Sequence, residues 1–242
     1  MSFKRLITTN LFLCSMDVYG QALKDYANGI EDQKLWLNTS YGELEEMPVW
    51  YFFRTYEEMP PLEKMALNIC EGRVLDVGAG TGSHAICLQK MQLPVVGIDT
   101  STAAVDIMKA SQVKDARVVN YFDFKEEKFD TLLCLMNGLG FIGKLNNLEV
   151  FLNKARELLK PEGQILVDSS DISYLFETSE KPKDHYFGEV SFQYEYKGQK
   201  GKWFDWVYVD QNTLKKKCIE LNWHCQVLTE DEQGQYLARL TY

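Results

Sequence analysis

The run Val74-Leu75-Asp76-Val77-Gly78-Ala79-Gly80-Thr81-Gly82-Ser83-His84 reads as a strand, a glycine turn and the start of a helix. Val74 to Val77 carries apolar residues on both faces, as a central strand of a parallel sheet should. Gly78, Gly80 and Gly82 alternate through the turn and let the backbone approach a ligand with no Cβ atoms in the way. His84-Ala85-Ile86-Cys87-Leu88-Gln89-Lys90 continues as a helix, so the free amides of the turn sit at a helix N-terminus. Strand, glycine turn and helix in this order open a nucleotide-type site.

The glycine spacing narrows the ligand. A dinucleotide site asks for G-x-G-x-x-G, but the third position here is Ser83 and the extra glycine is Gly82. A P-loop would need a following G-K-[ST], which is missing. A second strand, Val95-Val96-Gly97-Ile98, ends on Asp99, about 20 residues after Asp76, where an acid accepts hydrogen bonds from both hydroxyls of a ribose. A tight turn without a ligand accounts for the glycines but has no use for that acid. The combination closely resembles the class I S-adenosylmethionine-dependent methyltransferases. Gly78 to Gly82 resemble that family's first motif, and Asp99 resembles its ribose-binding acid.

The resemblance implies an α/β fold: a Rossmann-like, seven-stranded, mostly parallel sheet with helices on both faces and an antiparallel last strand. It implies S-adenosyl-L-methionine as cofactor, held by Asp76, Gly78, Ala79 and Gly80 on the first strand and by Asp99 and Thr100 on the second. The third strand reads as Arg117-Val118-Val119-Asn120, followed by Tyr121-Phe122-Asp123. In the family an apolar side chain and an acid from this strand end contact the adenine. Phe122 and Asp123 resemble them, with Asn120 as an alternative. The fourth strand, Phe129 to Met136, resembles the family's F-D-x-(apolar) run and ends in Asn137-Gly138-Leu139-Gly140 at the carboxyl edge. Met136 and Asn137 complete the implied cofactor set, although Asn137 also suits a left-handed turn residue before glycine. The N/D-P-P-Y/F turn of the nucleic-acid amino methyltransferases is missing here.

An apolar stripe from Leu145 through Leu148, Phe151, Leu152, Ala155, Leu158 and Leu159 predicts a helix packed on the sheet. Lys160-Pro161-Glu162-Gly163 stops it, and Gln164 to Asp168 is the fifth strand. Ser169, Ser170 and Asp171 then face substrate or cap the next segment. Alternation over Glu189 to Tyr196, a turn at Lys197 to Gly201 and a return over Trp203 to Val209 predict a β-hairpin. A helix at Thr213 to Leu221 and strands at Trp223 to Leu228 and Tyr236 to Tyr242 close the chain. The resemblance covers residues 72 to about 168 well, the last strands in outline, and the rest hardly at all.

Before the glycine turn, Asp17 to Tyr26 and Pro61 to Cys70 read as helices, the second with Leu62, Met65, Ala66 and Ile69 on one face. Between them Met47 to Tyr56 is dense in aromatics. Segments in this place commonly cover cofactor and substrate in the resembling family. Tyr51, Phe53, Arg54 and Tyr56 are therefore candidates to close the site, and Arg54 to pair with the methionyl carboxylate. The alternative is that the aromatics only pack this segment onto the sheet. The chain thus divides into an N-terminal helical and aromatic cap, 1–70, and a cofactor-binding domain, 71–242, with a hairpin insertion at about 187–210.

Composition limits the partners. A net charge of −9 argues against nucleic acid, which needs a basic face. Lys215-Lys216-Lys217 fits a solvated helix face. The six cysteines include no C-x-x-C pair and show no zinc spacing with the histidines. Lys4-Arg5 and the short apolar Leu11-Phe12-Leu13-Cys14 are followed by no A-x-A cleavage site, and no run is long enough for a membrane span, so the expectation is a cytoplasmic protein. Nothing in the sequence specifies an oligomeric state. Among conceivable bases, His84 reads as structural, and His185, Glu189 and Asp205 lie in or near the hairpin, so no catalytic residue is named. The reading is a methyltransferase for a small-molecule acceptor. The alternatives are a protein side-chain methyltransferase and a non-catalytic cofactor-binding protein.

Overall fold

A computed structural model describes residues 17–42, 44–125, 127–178 and 180–242. The Lys4-Arg5 pair, the Leu11 to Cys14 segment and their targeting readings lie outside these residues. In chain order, α1 (Val18–Ala27), β1 (Leu35–Thr39), β2 (Leu44–Met47) and α2 (Pro61–Asn68) precede the glycine turn. Then come β3 (Val74–Val77), α3 (Ser83–Lys90), β4 (Val95–Asp99), α4 (Thr102–Ala110), β5 (Ala116–Val118), β6 (Phe129–Cys134), α5 (Leu148–Leu158) and β7 (Leu159–Ser170). β8 (Glu189–Tyr196), β9 (Gln199–Lys200), β10 (Phe204–Val207), α6 (Gln211–Glu220), β11 (His224–Glu230) and β12 (Gln235–Thr241) follow.

The apolar β3 is buried at every position and lies inside a seven-stranded sheet of order β11-β12-β7-β6-β3-β4-β5. It pairs parallel with β4 and β6, and β6 pairs parallel with β7. β12 runs antiparallel between β7 and β11. Because successive parallel strands need helical crossovers, every strand of the β3–β7 set delivers its carboxyl end to one edge. The apolar stripe of α5 packs on the sheet through Leu148, Phe151, Leu152, Ala155 and Leu158, while Leu145–Asn147 forms a separate 3-10 turn before it.

Three local readings are corrected. Lys160 to Gly163 does not separate helix from strand. β7 already begins at Leu159 and carries these residues as a bulge, so that Phe129 faces Leu159 but Thr131 faces Gln164. Pro161, with no N–H to offer a ladder, is tolerated in such a bulge, and Glu162 takes a left-handed φ of 64°. The third strand is Ala116–Val118, shorter and earlier than the sequence suggests. On α2 the buried face holds Leu62, Glu63, Ala66 and Leu67, while Met65 is exposed.

The N-terminal cap is not helical alone. β1 and β2 pair with each other, and β1 pairs antiparallel with β8 of the hairpin, giving a second sheet of order β10-β8-β1-β2 with β9 on β8. β1 alternates as a half-buried strand, with Leu35, Leu37 and Thr39 inward. The segment before the glycine turn and the insertion near the C-terminus therefore form one structure. Among the described residues, no helix is long and apolar enough to cross a membrane.

This second sheet is seated on the loop after β6. At Gly140 an added Cβ would lie 1.9 Å from the Trp206 ring of β10. Gly140→Ala therefore forces hairpin and loop apart. It is expected to cost about 1–3 kcal/mol of unfolding free energy in urea melts. An unchanged midpoint would mean that Trp206 does not hold the hairpin down.

Candidate functional site

The glycine turn takes the shape that alternate glycines permit. Gly78, Gly80 and Gly82 have φ of 69°, 56° and 90°, a left-handed region costly to other residues. A Cβ on Gly78 would meet nothing within 4 Å, so the backbone there faces open space. Ala79 N–H is tied to the Ile98 carbonyl of β4 at 2.9 Å, and Gly82 ends the turn as the N-cap of α3.

Asp99, at the end of β4, turns toward this loop. Its Oδ2 accepts from Gly80 N–H at 3.0 Å and its Oδ1 from Ser101 N–H at 2.8 Å. Burial pushes the Asp99 carboxyl upward and these amides oppose it, leaving it above its ordinary value. Thr100 is exposed beside it and its backbone N–H also supports the carboxylate. The hydroxyl of Tyr19, from α1, lies 3.5 Å from where a Cβ of Gly80 would stand. Tyr19 stacks on Tyr194 of β8 at 5.2 Å and meets Phe52 edge-on at 5.1 Å. The cap and the hairpin thus roof the glycine turn together.

Behind the turn lies a chain of buried charges. Asp76 is 1% exposed, and burial, with a contribution from Asp99, raises its carboxyl to about 6 against the pull of His84 and the Ala85 amide. His84 Nε2 lies 2.8 Å from Glu63 Oε2, and Glu63 receives Arg54 Nη2 at 2.9 and 3.0 Å. Burial drives Glu63 up, but His84 and Arg54 more than compensate and leave it below its ordinary value. Burial drives His84 down, but Glu63 and Asp76 raise it above its ordinary value. Arg54 is stacked on Tyr51 at 3.4 Å and donates its Nε–H to the Tyr51 carbonyl at 2.8 Å. Two polar atoms in this cluster are buried without a hydrogen-bond partner: Arg54 Nη1 and Asp76 Oδ2.

The remaining predicted residues fall at the same carboxyl edge. Phe122 is half-buried in the 3-10 turn Tyr121–Asp123, with its ring 6.0 Å from Phe141, and Asp123 is exposed. Asn120 spends its side chain capping that turn, accepting from Phe122 N–H at 2.9 Å. Met136 and Asn137 are consecutive left-handed residues, with φ of 66° and 54°. Asn137 Oδ1 accepts from the Ser170 hydroxyl at 2.7 Å, and Asp168 accepts from Gly138 N–H at 2.8 Å and from the Gln235 amide at 2.8 Å. Ser169 accepts from Val209 N–H and Asp171 from Ser173 N–H, so both serve the local backbone.

Of the proposed closing residues, Tyr51 and Arg54 join the buried charge cluster. Phe53 packs on Tyr26 of α1 at 4.9 Å, and Tyr56 bonds Asn68 of α2 at 3.0 Å, which are packing roles. The conceivable hairpin bases are engaged elsewhere: His185 with Asp184, Glu189 with Leu145 N–H and Asp205 with the Ser191 hydroxyl. Tyr19, Phe52, Glu63 and Tyr194 were missed. Only Glu63, a carboxylate next to an apolar helix stripe, carries a sequence signal. Among the described residues, no group of His, Cys, Asp and Glu is placed to hold a metal ion.

Residues 51–237 match a family model described as a methyltransferase domain. The chain is similar to the crystal structure of an S-adenosylmethionine-dependent methyltransferase from Bacteroides fragilis in complex with S-adenosyl-L-homocysteine. The identity is 41%, the TM-score 0.85, and the match covers 93% of this chain and 94% of that one. The CcbJ methyltransferase from Streptomyces caelestis shares the fold at 16% identity, with a TM-score of 0.59 over 77% of this chain and 98% of that one. A demethylmenaquinone methyltransferase of Tropheryma whipplei is 34% identical over 102 residues, and this match spans only 39% of this chain and 40% of that relative. With the glycine turn, the acid ending the second strand and the antiparallel last strand all in place, the chain belongs to the S-adenosylmethionine-dependent methyltransferases.

Proposed function

We propose that this protein transfers the methyl group of S-adenosyl-L-methionine to a small-molecule acceptor enclosed between the glycine turn and the second sheet. The observation that carries the reading is the pair of buried, unpartnered atoms Arg54 Nη1 and Asp76 Oδ2. A buried donor on a cation and a buried acceptor on a carboxylate each cost about 1–3 kcal/mol when left unpaired. A carboxylate would satisfy the first and an ammonium the second, so the chemistry of the residues present fits the amino-acid moiety of the cofactor. Asp99 would exchange its bonds to the loop amides for ribose hydroxyls, and Gly78, Ala79 and Gly80 would lie against the cofactor through their backbone. Phe122 and Asp123 would serve the adenine, and Thr100, Met136 and Asn137 would complete the contacts.

When bound, the cofactor supplies an electrophilic methyl on a sulfonium. The chain's own task is then to orient the acceptor and exclude water, which supplies a large part of the rate. Tyr19, Phe52 and Tyr194 would do so from above the turn. A roofed site favours a small acceptor over a protein side chain, which needs an open groove. The free thiols of Cys70, Cys87, Cys134, Cys218 and Cys225 support a reducing compartment such as the cytoplasm.

Calorimetric titration with S-adenosyl-L-methionine, S-adenosyl-L-homocysteine and NAD is expected to give binding of the first two and none of NAD. Asp99→Ala, by leaving ribose hydroxyls unpaired, should weaken both about tenfold to a hundredfold. Unchanged affinity would remove Asp99 from the site, and binding of NAD alone would overturn the whole reading.

The same titration has a pH signature. Asp76 in the free protein titrates at about 6, and only its ionised form balances an ammonium. Protons therefore compete with the cofactor below that value. Affinity should fall by up to about tenfold per pH unit below it as Asp76 takes up its proton. Asp76→Asn should bind more weakly and lose the slope. A slope that persists in the variant would belong to another group.

A further inference from the structure

A cavity of about 240 Å³ opens at the carboxyl edge of the sheet. Asn137 and Ser170, at the ends of β6 and β7, form its floor, and Tyr41, Glu45, Tyr174 and Tyr208 stand around it. β3, β6, β7 and β12 are successive neighbours and adjacent strands lie about 4.8 Å apart, so Asn137, Ser170 and Gln235 stand at the ends of the strands one, two and three places from β3. Its wall comes from five separate stretches: the β1–β2 connection with β2, the segment after β7, the residues after β10, the ends of the parallel strands, and Gln233 with Gln235 at the start of β12.

The lining has a distinct chemistry. It includes no Lys, Arg or His among the described residues, while Glu45 brings a carboxylate and three tyrosines bring aromatic rings. The Tyr41 hydroxyl donates to Glu45 Oε1 at 2.5 Å and fixes the carboxylate in the wall. Burial, with Glu45 and Tyr174 adding to it, pushes the Tyr208 phenol up, and burial and Glu45 do the same to Tyr41. These phenols stay neutral, so their rings offer the negative face that attracts a cation. An anionic acceptor would meet Glu45 with no cation to balance it. An alcohol would need a stronger base than a carboxylate already accepting from a tyrosine.

We propose that this cavity is the acceptor site and takes a small amine-bearing molecule, held by Glu45 and the rings of Tyr41, Tyr174 and Tyr208. The assignment rests on the methyl transfer proposed above. The bound ammonium first gives one proton to the Glu45 carboxylate and on to solvent, which frees the nitrogen lone pair. That lone pair forms the N–C bond while the S–CH₃ bond breaks and leaves its electron pair on sulfur, and the product leaves as the N-methylammonium.

Cyclohexylamine, cyclohexanol and cyclohexanecarboxylate share one ring and differ in one polar group. They are titrated by NMR into the full chain saturated with S-adenosyl-L-homocysteine, near pH 7, where the amine is protonated. The amine is expected to bind at least about tenfold more tightly than either analogue. Glu45→Gln, on the half-buried face of an edge strand, should remove that preference, with affinity for S-adenosyl-L-homocysteine unchanged to within about twofold. Equal or weaker binding of the amine, no binding of it, or a preference that survives Glu45→Gln overturns the assignment of the amine. Failure of S-adenosyl-L-homocysteine to bind the native protein instead brings down the methyl-transfer reading, and the acceptor site with it.

Discussion

Everything around the glycine turn answers to the burial of Asp76. The residue sits on a strand paired on both sides, 1% exposed, where an isolated carboxylate is costly. The nearest compensation is His84, the second residue of α3, whose position is set by the turn itself. An imidazole buried among carboxylates is pulled toward its charged form, and Glu63 of α2 receives it. Glu63 in turn holds Arg54. The alternation Asp76, His84, Glu63, Arg54 thus runs from the sheet through two helices into the cap, with each acid beside a cation. Removing one member strands its neighbour in the interior, which typically costs about 3–5 kcal/mol. The cap is therefore bound to the sheet by charge as well as by apolar packing, and its aromatic run is anchored at Arg54.

The acceptor side of the edge is fixed differently. Met136 and Asn137 both adopt left-handed backbone, a conformation that costs about 1–3 kcal/mol per residue and persists only where the surroundings impose it. The surroundings here are Asp168, which takes the Gly138 amide, and Ser170, which holds the Asn137 side chain. Asp168 is itself fully buried, raised to about 6 by burial, and supported by Gln235 of the antiparallel β12. The last strand thus contributes to the site from behind. It clamps the ends of β6 and β7 at a defined separation, which preorganises the floor of the cavity.

Legibility in the sequence followed the distance over which each feature is encoded. The glycine turn, Asp99, the α5 stripe and the β8–β10 hairpin are patterns of period two or 3.6 within a short window, and they appear where the residues predict. The β7 bulge failed because Pro161 and Gly163 are breakers in isolation, whereas the neighbouring β6 lets a strand continue through them. β1 and β2 were missed for a related reason. Leu35 to Thr39 is too short to declare itself, and it becomes a strand by pairing with β8, which the chain supplies much later. On α2 a periodicity argument seated Met65 inward, while the counter-charge to Arg54 and His84 rotated the helix to bury Glu63. Arg54 was legible as a cation near the site, but its pairing with Glu63 was not, because the carboxylate's position beside an apolar stripe does not say which cation it meets.

These scales of encoding separate the two halves of the site. The residues proposed for the cofactor, Arg54 of the cap aside, sit on consecutive strand ends of one parallel unit, so their geometry follows from local sequence and the sheet. The acceptor cavity depends on β2, on residues after β7 and on residues after β10, brought together only when the second sheet forms. Substitutions in that sheet can reshape the cavity without touching the glycine turn. Independence stops at the stacked Tyr19 and Tyr194, which join α1 to β8 directly above Gly80. A cofactor lying on the turn as proposed would meet the Tyr19 end of that stack, and the same stack joins α1 to β8 of the second sheet. On the proposed placement, one aromatic contact would couple cofactor binding to assembly of the acceptor cavity, with no long-range pathway required.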